Sequence, residues 1–163
     1  LLPNSVAPRR KRMLAFGLVF GSFFGCGAAF ISDKRKGIVF SMIEMEIIGN
    51  WPLLAALSFN EKQSCLATLD LLSSGPLSEI DGDIALLLVG EIGESVVKYL
   101  DESLRNSLKN RKLLISKDFR EASRFSNLII VTMLGITKRK ELLNLRKNLL
   151  ILNKKPLGSL VFK

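Results

Sequence analysis

Apolar and polar positions along this chain change rhythm near Asp83. Downstream, four short apolar runs, IALLLV (84–89), KLLI (112–115), NLIIVTM (127–133) and GSLVF (158–162), are separated by charged, amphipathic stretches. Strand-length runs alternating with helical stretches predict βαβ units, hence a small, mostly parallel sheet covered by helices. Between the last two runs, Leu142, Leu145, Leu149 and Leu152 recur at 3-4-3 spacing, while Lys138, Arg139, Lys140, Arg146 and Lys147 fall largely off that stripe. The spacing predicts a helix over 137–152 lying on the sheet, with Thr137 as its N-cap. Upstream, NEKQSCLATLDLLSS (60–74) places Cys65, Leu66, Leu69 and Leu72 near one helical face, and Gly75-Pro76 closes it. Lys34 to Gly49 carries apolar residues without a clean period, and Trp51-Pro52 introduces LLAAL, a candidate short strand. Residues 32–59 therefore read as a cytoplasmic linker into an α/β domain spanning 60–163.

The N-terminal segment follows neither rhythm. MLAFGLVFGSFFGCGAAFI (13–31) is an uncharged run of 19 residues, close to the roughly 20 needed to cross about 30 Å of hydrocarbon. It predicts a transmembrane helix after a juxtamembrane Pro/basic segment, residues 1–12. Arg9 to Arg12 precede the run and Lys34, Arg35 and Lys36 follow it, so the balance of positive charge does not set its orientation. A secretory signal and a lipoprotein-like cleavage before Cys26 are competing readings, and both fit poorly with Asp33-Lys34-Arg35-Lys36 as the start of an exported chain. Gly17, Gly21 and Gly25 recur every four residues on one helical face. Two readings of them stay open: a stripe for close helix packing in an oligomer, or the general abundance of glycine in membrane helices.

Composition sharpens this picture. The apolar fraction is 48% and the mean hydropathy +0.28, which implies apolar mass beyond a soluble core. Histidine is absent, so the commonest general base and metal ligand are excluded. Cys26 and Cys65 lie too far apart for a CxxC site. The first residue is Leu1 rather than Met, which suggests that the N-terminal part of a longer protein is missing. The net charge is +9, and from Lys98 to Lys163 sixteen Lys/Arg stand against five Asp/Glu. Without aromatic interleaving or a nucleic-acid motif, an anionic membrane leaflet accounts for that surplus more simply than nucleic acid does.

One stretch has the outline of chemistry. LLLVGEIGESVV (86–97) runs from a strand through a glycine-containing turn into a helix, as a phosphate-binding loop does. Such loops end in Gly-Lys-Ser/Thr, because backbone N–H groups wrap the phosphates while the lysine neutralises them. Here Gly90 and Gly93 are followed by Glu94 and Ser95, and a carboxylate repels a triphosphate. The stretch reads as an ordinary strand-to-helix turn, Asp118, Arg120 and Glu121 as solvated surface charges, and Asp81-Gly82-Asp83 as a turn rather than a calcium loop. No catalytic set, metal or cofactor is expected.

The order of features resembles a known family. Pro3 and Pro8 before a basic cluster, a glycine-rich membrane helix and the exit Ser32-Asp33-Lys34-Arg35 resemble the second transmembrane segment of the Wzz/GumC-type polysaccharide chain-length determinants, the polysaccharide co-polymerases. The resemblance implies that the chain leaves the bacterial inner membrane on the cytoplasmic side. Beyond the membrane, residues 83–163 are similar to a reduced Wzc-like tyrosine autokinase domain, a P-loop fold. LLLVGEIGESVV matches its first strand, turn and helix with Glu94 in the place of lysine. LLISKDFR (113–120) resembles its second acidic motif, Asp-x-Asp-x-Arg, with Ser116, Asp118 and Arg120 at those positions, and residues 127–162 resemble its closing strands and helix. Tyr99 is the only tyrosine, so the phosphorylated tail of the relatives is missing. The resemblance thus implies a homo-oligomeric, non-catalytic membrane component of exopolysaccharide or O-antigen synthesis or export, working in chain-length regulation beside the polymerase. The alternative is a divergent autokinase or ATPase in which Lys98 or Lys117 replaces the missing lysine.

Overall fold

The computed structural model describes residues 10–58, 61–108 and 111–163, with the side chains of 10–15, 30–36, 62 and 107 outside the described set. The chain divides after Gly37 into two compact units.

The first unit holds helix α1, Arg10–Lys36. Phe16, Phe20 and Phe24 form a ladder along it, with successive ring centroids 6.3 Å apart. The Ser22 hydroxyl donates to the Leu18 carbonyl at 2.7 Å, so this polar group is satisfied within the helix. A Cβ added at Gly17, Gly21 or Gly25 would meet no atom within 4 Å. Among the described residues no helix is long and apolar enough to cross a membrane; of the expected span 13–31, the side chains of 13–15 and 30–31 lie outside those described.

The second unit, Ile38–Lys163, is a three-layer α/β domain. Its elements are α2 (Met42–Gly49), β1 (Leu53–Leu57), α3 (Lys62–Ser74), β2 (Ile84–Val89), α4 (Glu94–Ser107), β3 (Leu113–Ser116), α5 (Phe119–Ala122), β4 (Asn127–Met133), α6 (Arg139–Ile151) and β5 (Gly158–Phe162). The sheet order is β1-β5-β4-β2-β3 and every pairing is parallel. Every residue of β2 and β5 is buried, because helices cover both faces; this is why these strands are continuous apolar runs rather than alternating ones. On one face Leu86, Leu88, Val131 and Phe162 pack against Leu69 of α3 and Val96, Leu100 and Leu104 of α4. On the other, Leu87, Leu128, Ile130 and Val161 pack against Met45 of α2, Ala122 of α5 and Leu142, Leu145 and Leu149 of α6. Connections toward the β3 edge cross by α3 and α4, and those toward the β1 edge cross by α5 and α6. All four crossovers therefore share one hand, as right-handed βαβ units require.

Two expectations change here. Residues 38–58 are not a linker: α2 and β1 are part of the domain, and β1 forms its edge beside β5. No clean period marked α2 because apolar residues occupy both its buried side, at Met45, and its outer side, at Ile43 and Ile47. The third strand begins one residue later than KLLI, at Leu113, since the Lys112 side chain is exposed to solvent. Gly158 opens β5 where β1 approaches too closely for a side chain: a Cβ there would lie 2.6 Å from both Leu54 Cγ and the Pro52 carbonyl. The pairing register of β1 shifts at this contact, between Leu53 and Ala55.

Candidate functional site

In open α/β sheets, ligands sit at the carboxyl edge where the strand order reverses and neighbouring strands feed helices on opposite faces. Here β2 leads to α4 on one face and its neighbour β4 to α6 on the other, so the switch point lies between the loops 90–93 and 134–138. Gly90 leaves β2 with φ +91, a conformation that favours glycine. A Cβ on it would stand 3.2 Å from Thr137 Oγ1 and 3.3 Å from Thr137 Cα, so the two loops are already in contact.

Thr137 closes the base of this crevice. It is fully buried, its hydroxyl donates to the Val89 carbonyl at 3.2 Å, and it accepts the Met133 N–H at 3.1 Å. A strap from residues 38–40 lies alongside. The Val39 N–H donates to the Thr137 carbonyl at 3.0 Å, the Gly135 N–H donates to the Val39 carbonyl at 2.9 Å, and Ile38 bridges Lys138. Thr137 is thus not the N-cap of α6. That position belongs to Lys138, whose N–H is accepted by the Glu141 carboxylate at 3.4 Å. A local capping signal gave way to a hydrogen bond across the sheet.

The glycine turn itself is an ordinary helix start. Gly93 is the N-cap of α4 with φ −63 and ψ 145, and offers no capping side chain. Glu94 and Ser95 are exposed in the first turn. A carboxylate there favours the positive end of the helix dipole, which is a structural reason for Glu94 and also an obstacle to an incoming anion.

The acidic-motif positions are used locally. Asp118 caps the short α5, its Oδ1 accepting the Arg120 N–H at 2.8 Å. The Ser116 hydroxyl donates to Glu121 Oε2 at 3.0 Å and accepts the Asp118 N–H at 3.0 Å. Arg120 is exposed. Asp83 at the opposite edge accepts the Lys112 N–H at 3.2 Å through Oδ1, consistent with a turn.

A cleft of about 650 Å³ lies between α4 and β3. Leu88, Leu113 and Ile115 line it along with Glu94, Ser116, Lys98 and Lys117, so both substitute lysines named from sequence reach the same space as Glu94. Gly90, Gly93, Ser95, Asp118 and Arg120 do not line it. The expected loop is therefore divided between a closed switch point, a cleft along the sheet edge and the cap of α5. Among the described residues no group of three His, Cys, Asp or Glu could hold a metal ion.

Beneath the cleft helix, Tyr99 of α4 bonds Cys65 of α3. Burial and this hydrogen bond push the tyrosine up to about 12, and burial pushes the thiol up as well. Both groups stay protonated under ordinary conditions, which suits packing rather than chemistry. Comparison with protein-family models, with curated proteins and with solved structures gave no match.

Proposed function

We propose that this chain is a membrane-anchored, non-catalytic component of cell-surface polysaccharide synthesis or export, acting in chain-length regulation as an assembly protein. In this reading α1 crosses the bacterial inner membrane, residues 34–163 lie in the cytoplasm, and the α/β domain is a pseudokinase-like interaction module that works as an oligomer beside the polymerase. The observation that carries the non-catalytic part is the carboxyl edge. Thr137 closes the base of the crevice with the residue 38–40 strap alongside it, and Glu94 stands at the helix start that should receive phosphate. The membrane placement is supported by the uncharged run 13–31, by Ser22 satisfying its own hydroxyl, and by the Phe16, Phe20 and Phe23 side chains, all more than half exposed. The open glycine stripe leaves room for a second helix. The pathway rests on the resemblance to chain-length determinants.

The divergent autokinase or ATPase is the second reading, favoured by the cleft that gathers Lys98, Lys117 and Ser116. Calorimetric titration of the detergent-solubilised chain with Mg-ATP, beside its Glu94→Lys variant, separates the two. Micromolar binding by the native chain would refute the non-catalytic reading. The pathway is tested by in-frame deletion, which should alter the chain-length distribution of surface polysaccharide on gels; an unchanged ladder would refute it.

A further inference from the structure

The domain's exposed apolar residues are concentrated on one side. Of its ten described large hydrophobic residues with high exposure, eight belong to α2, α6 or the residues adjoining them. Ile43 and Ile47 are 70% and 71% exposed and stand one turn apart on the outer face of α2, opposite the buried Met45 and Gly49. α2 is held against α6 by an ion pair between Glu44 and Arg139 and by Arg146 Nη1 donating to the Ile48 carbonyl at 3.2 Å. The isoleucines are therefore presented on a fixed element, with Leu143 and Leu150 of α6 also exposed.

Charge is divided the same way. Segments 38–50 and 138–156 carry seven Lys/Arg against three Asp/Glu; Glu44 is paired with Arg139, Glu141 accepts the Lys138 N–H, and Glu46 is exposed on α2, so the basic surplus lies on α6 and the residues flanking it. The helices of the opposite face, with Glu61 before them, carry three Lys/Arg against five Asp/Glu over 61–74 and 94–107. An apolar face set in basic surroundings is the composition of a surface that lies on anionic lipid.

We infer that the outer face of α2, with the adjoining basic residues of α6, rests on the anionic surface of the membrane. This rests on the reading of α1 as the membrane anchor. Gly37 to Ser41 are the only residues between Lys36, the end of α1, and Met42, the start of α2. At about 3.3–3.6 Å per residue the chain lets α2 begin no more than about 20 Å from the last residue of α1. Such a tether makes contact with the bilayer an intramolecular event, so a modest apolar patch suffices. A second copy of the same face is a poorer occupant, because two surfaces with the same excess of positive charge repel.

The test uses the full chain, with Cys26→Ser, in nanodiscs of phosphatidylcholine and phosphatidylglycerol that contain a spin-labelled quenching lipid. An environment-sensitive fluorophore is placed at Ile47→Cys, at Glu102→Cys on the exposed surface of α4, or at Phe20→Cys in α1. Quenching is expected at positions 20 and 47 and not at 102. It should weaken at 47 when phosphatidylglycerol is omitted or when the exposed Lys140 and Lys147 are replaced by Glu. Quenching at 20 without quenching at 47 overturns this inference and leaves the anchor intact; no quenching at 20 overturns the anchor, and with it this inference. A label at 47 shielded from aqueous iodide but untouched by the lipid quencher would assign the face to a protein and refute the lipid contact. Equal quenching at 47 in neutral discs would refute the part assigned to charge.

Discussion

Thr137→Val removes one hydroxyl while nearly preserving shape, and the position is fully buried. The hydroxyl has two partners: it donates to the Val89 carbonyl and accepts the Met133 N–H. Valine can do neither, which is why this swap is not isosteric in energy. The orphaned Met133 N–H costs about 1–3 kcal/mol, and the lost bond to Val89 about 1 kcal/mol more. The expected destabilisation is about 2–4 kcal/mol, with no cavity to add to it. Thr137→Ser keeps both hydrogen bonds and loses one methyl group, so it should cost about 1 kcal/mol. Urea unfolding of the detergent-solubilised chain, followed by far-ultraviolet circular dichroism, compares the three proteins. With a urea slope of about 2 kcal/mol per molar, the valine midpoint should fall by about 1–2 M and the serine midpoint by about a quarter to a half of that. If valine matches the native protein while serine falls further, the methyl group rather than the hydroxyl holds the crevice shut, and the account of the switch point fails.

Gly158→Ala should destabilise the domain by about 1–3 kcal/mol through overpacking, since its Cβ would meet Leu54 and the Pro52 carbonyl at 2.6 Å; an unchanged urea midpoint would show that β1 yields freely. Tyr99 should ionise at about 12 rather than near 10 when followed by tyrosinate absorbance. Because the unfolded chain loses that proton first, stability should be unaffected by Tyr99 below about pH 10 and fall as pH rises from there toward about 12, and Cys65→Ala should weaken the effect. Gly21→Leu should reduce cross-linking of α1 in membranes by blocking close helix approach, while Phe23→Leu should not; equal cross-linking would reduce the glycine stripe to composition.

The strands were the most legible part of this chain. IALLLV, NLIIVTM and GSLVF coincide with β2, β4 and β5 because both faces of these strands are covered, so apolar continuity alone marked them. The stripe of α6 was equally clear: Leu142, Leu145 and Leu149 are buried. Leu152, at the end of the expected stripe, is half exposed because the helix ends at Ile151 and the chain turns at Asn153 with φ 50. Long-range partners were not legible. Nothing in LLAAL says that it pairs with the last strand, and nothing near Thr137 says that its hydroxyl serves Val89 rather than the helix it precedes. The glycine turn was recognised by its outline, but Gly90 touches Thr137 while Glu94 reaches the cleft beside Lys98 and Lys117. That division depends on which strands are neighbours, which local pattern does not encode.

The placement of β1 governs how the protein can be made. Leu53 pairs with Ser159, two-thirds of the chain away. At about 5–20 residues per second of synthesis, β1 leaves the ribosome seconds before its strand partner β5 exists. During that interval LLAAL is an apolar segment with an open hydrogen-bonding edge, the kind of surface that invites wrong pairing with other chains. Among the described strands, β5 alone borders β1 in the native order. Truncation within the last few residues should therefore release β1 and β5 together from one edge of the sheet, and the N-terminal strand of the domain should become protease-sensitive together with its C-terminus.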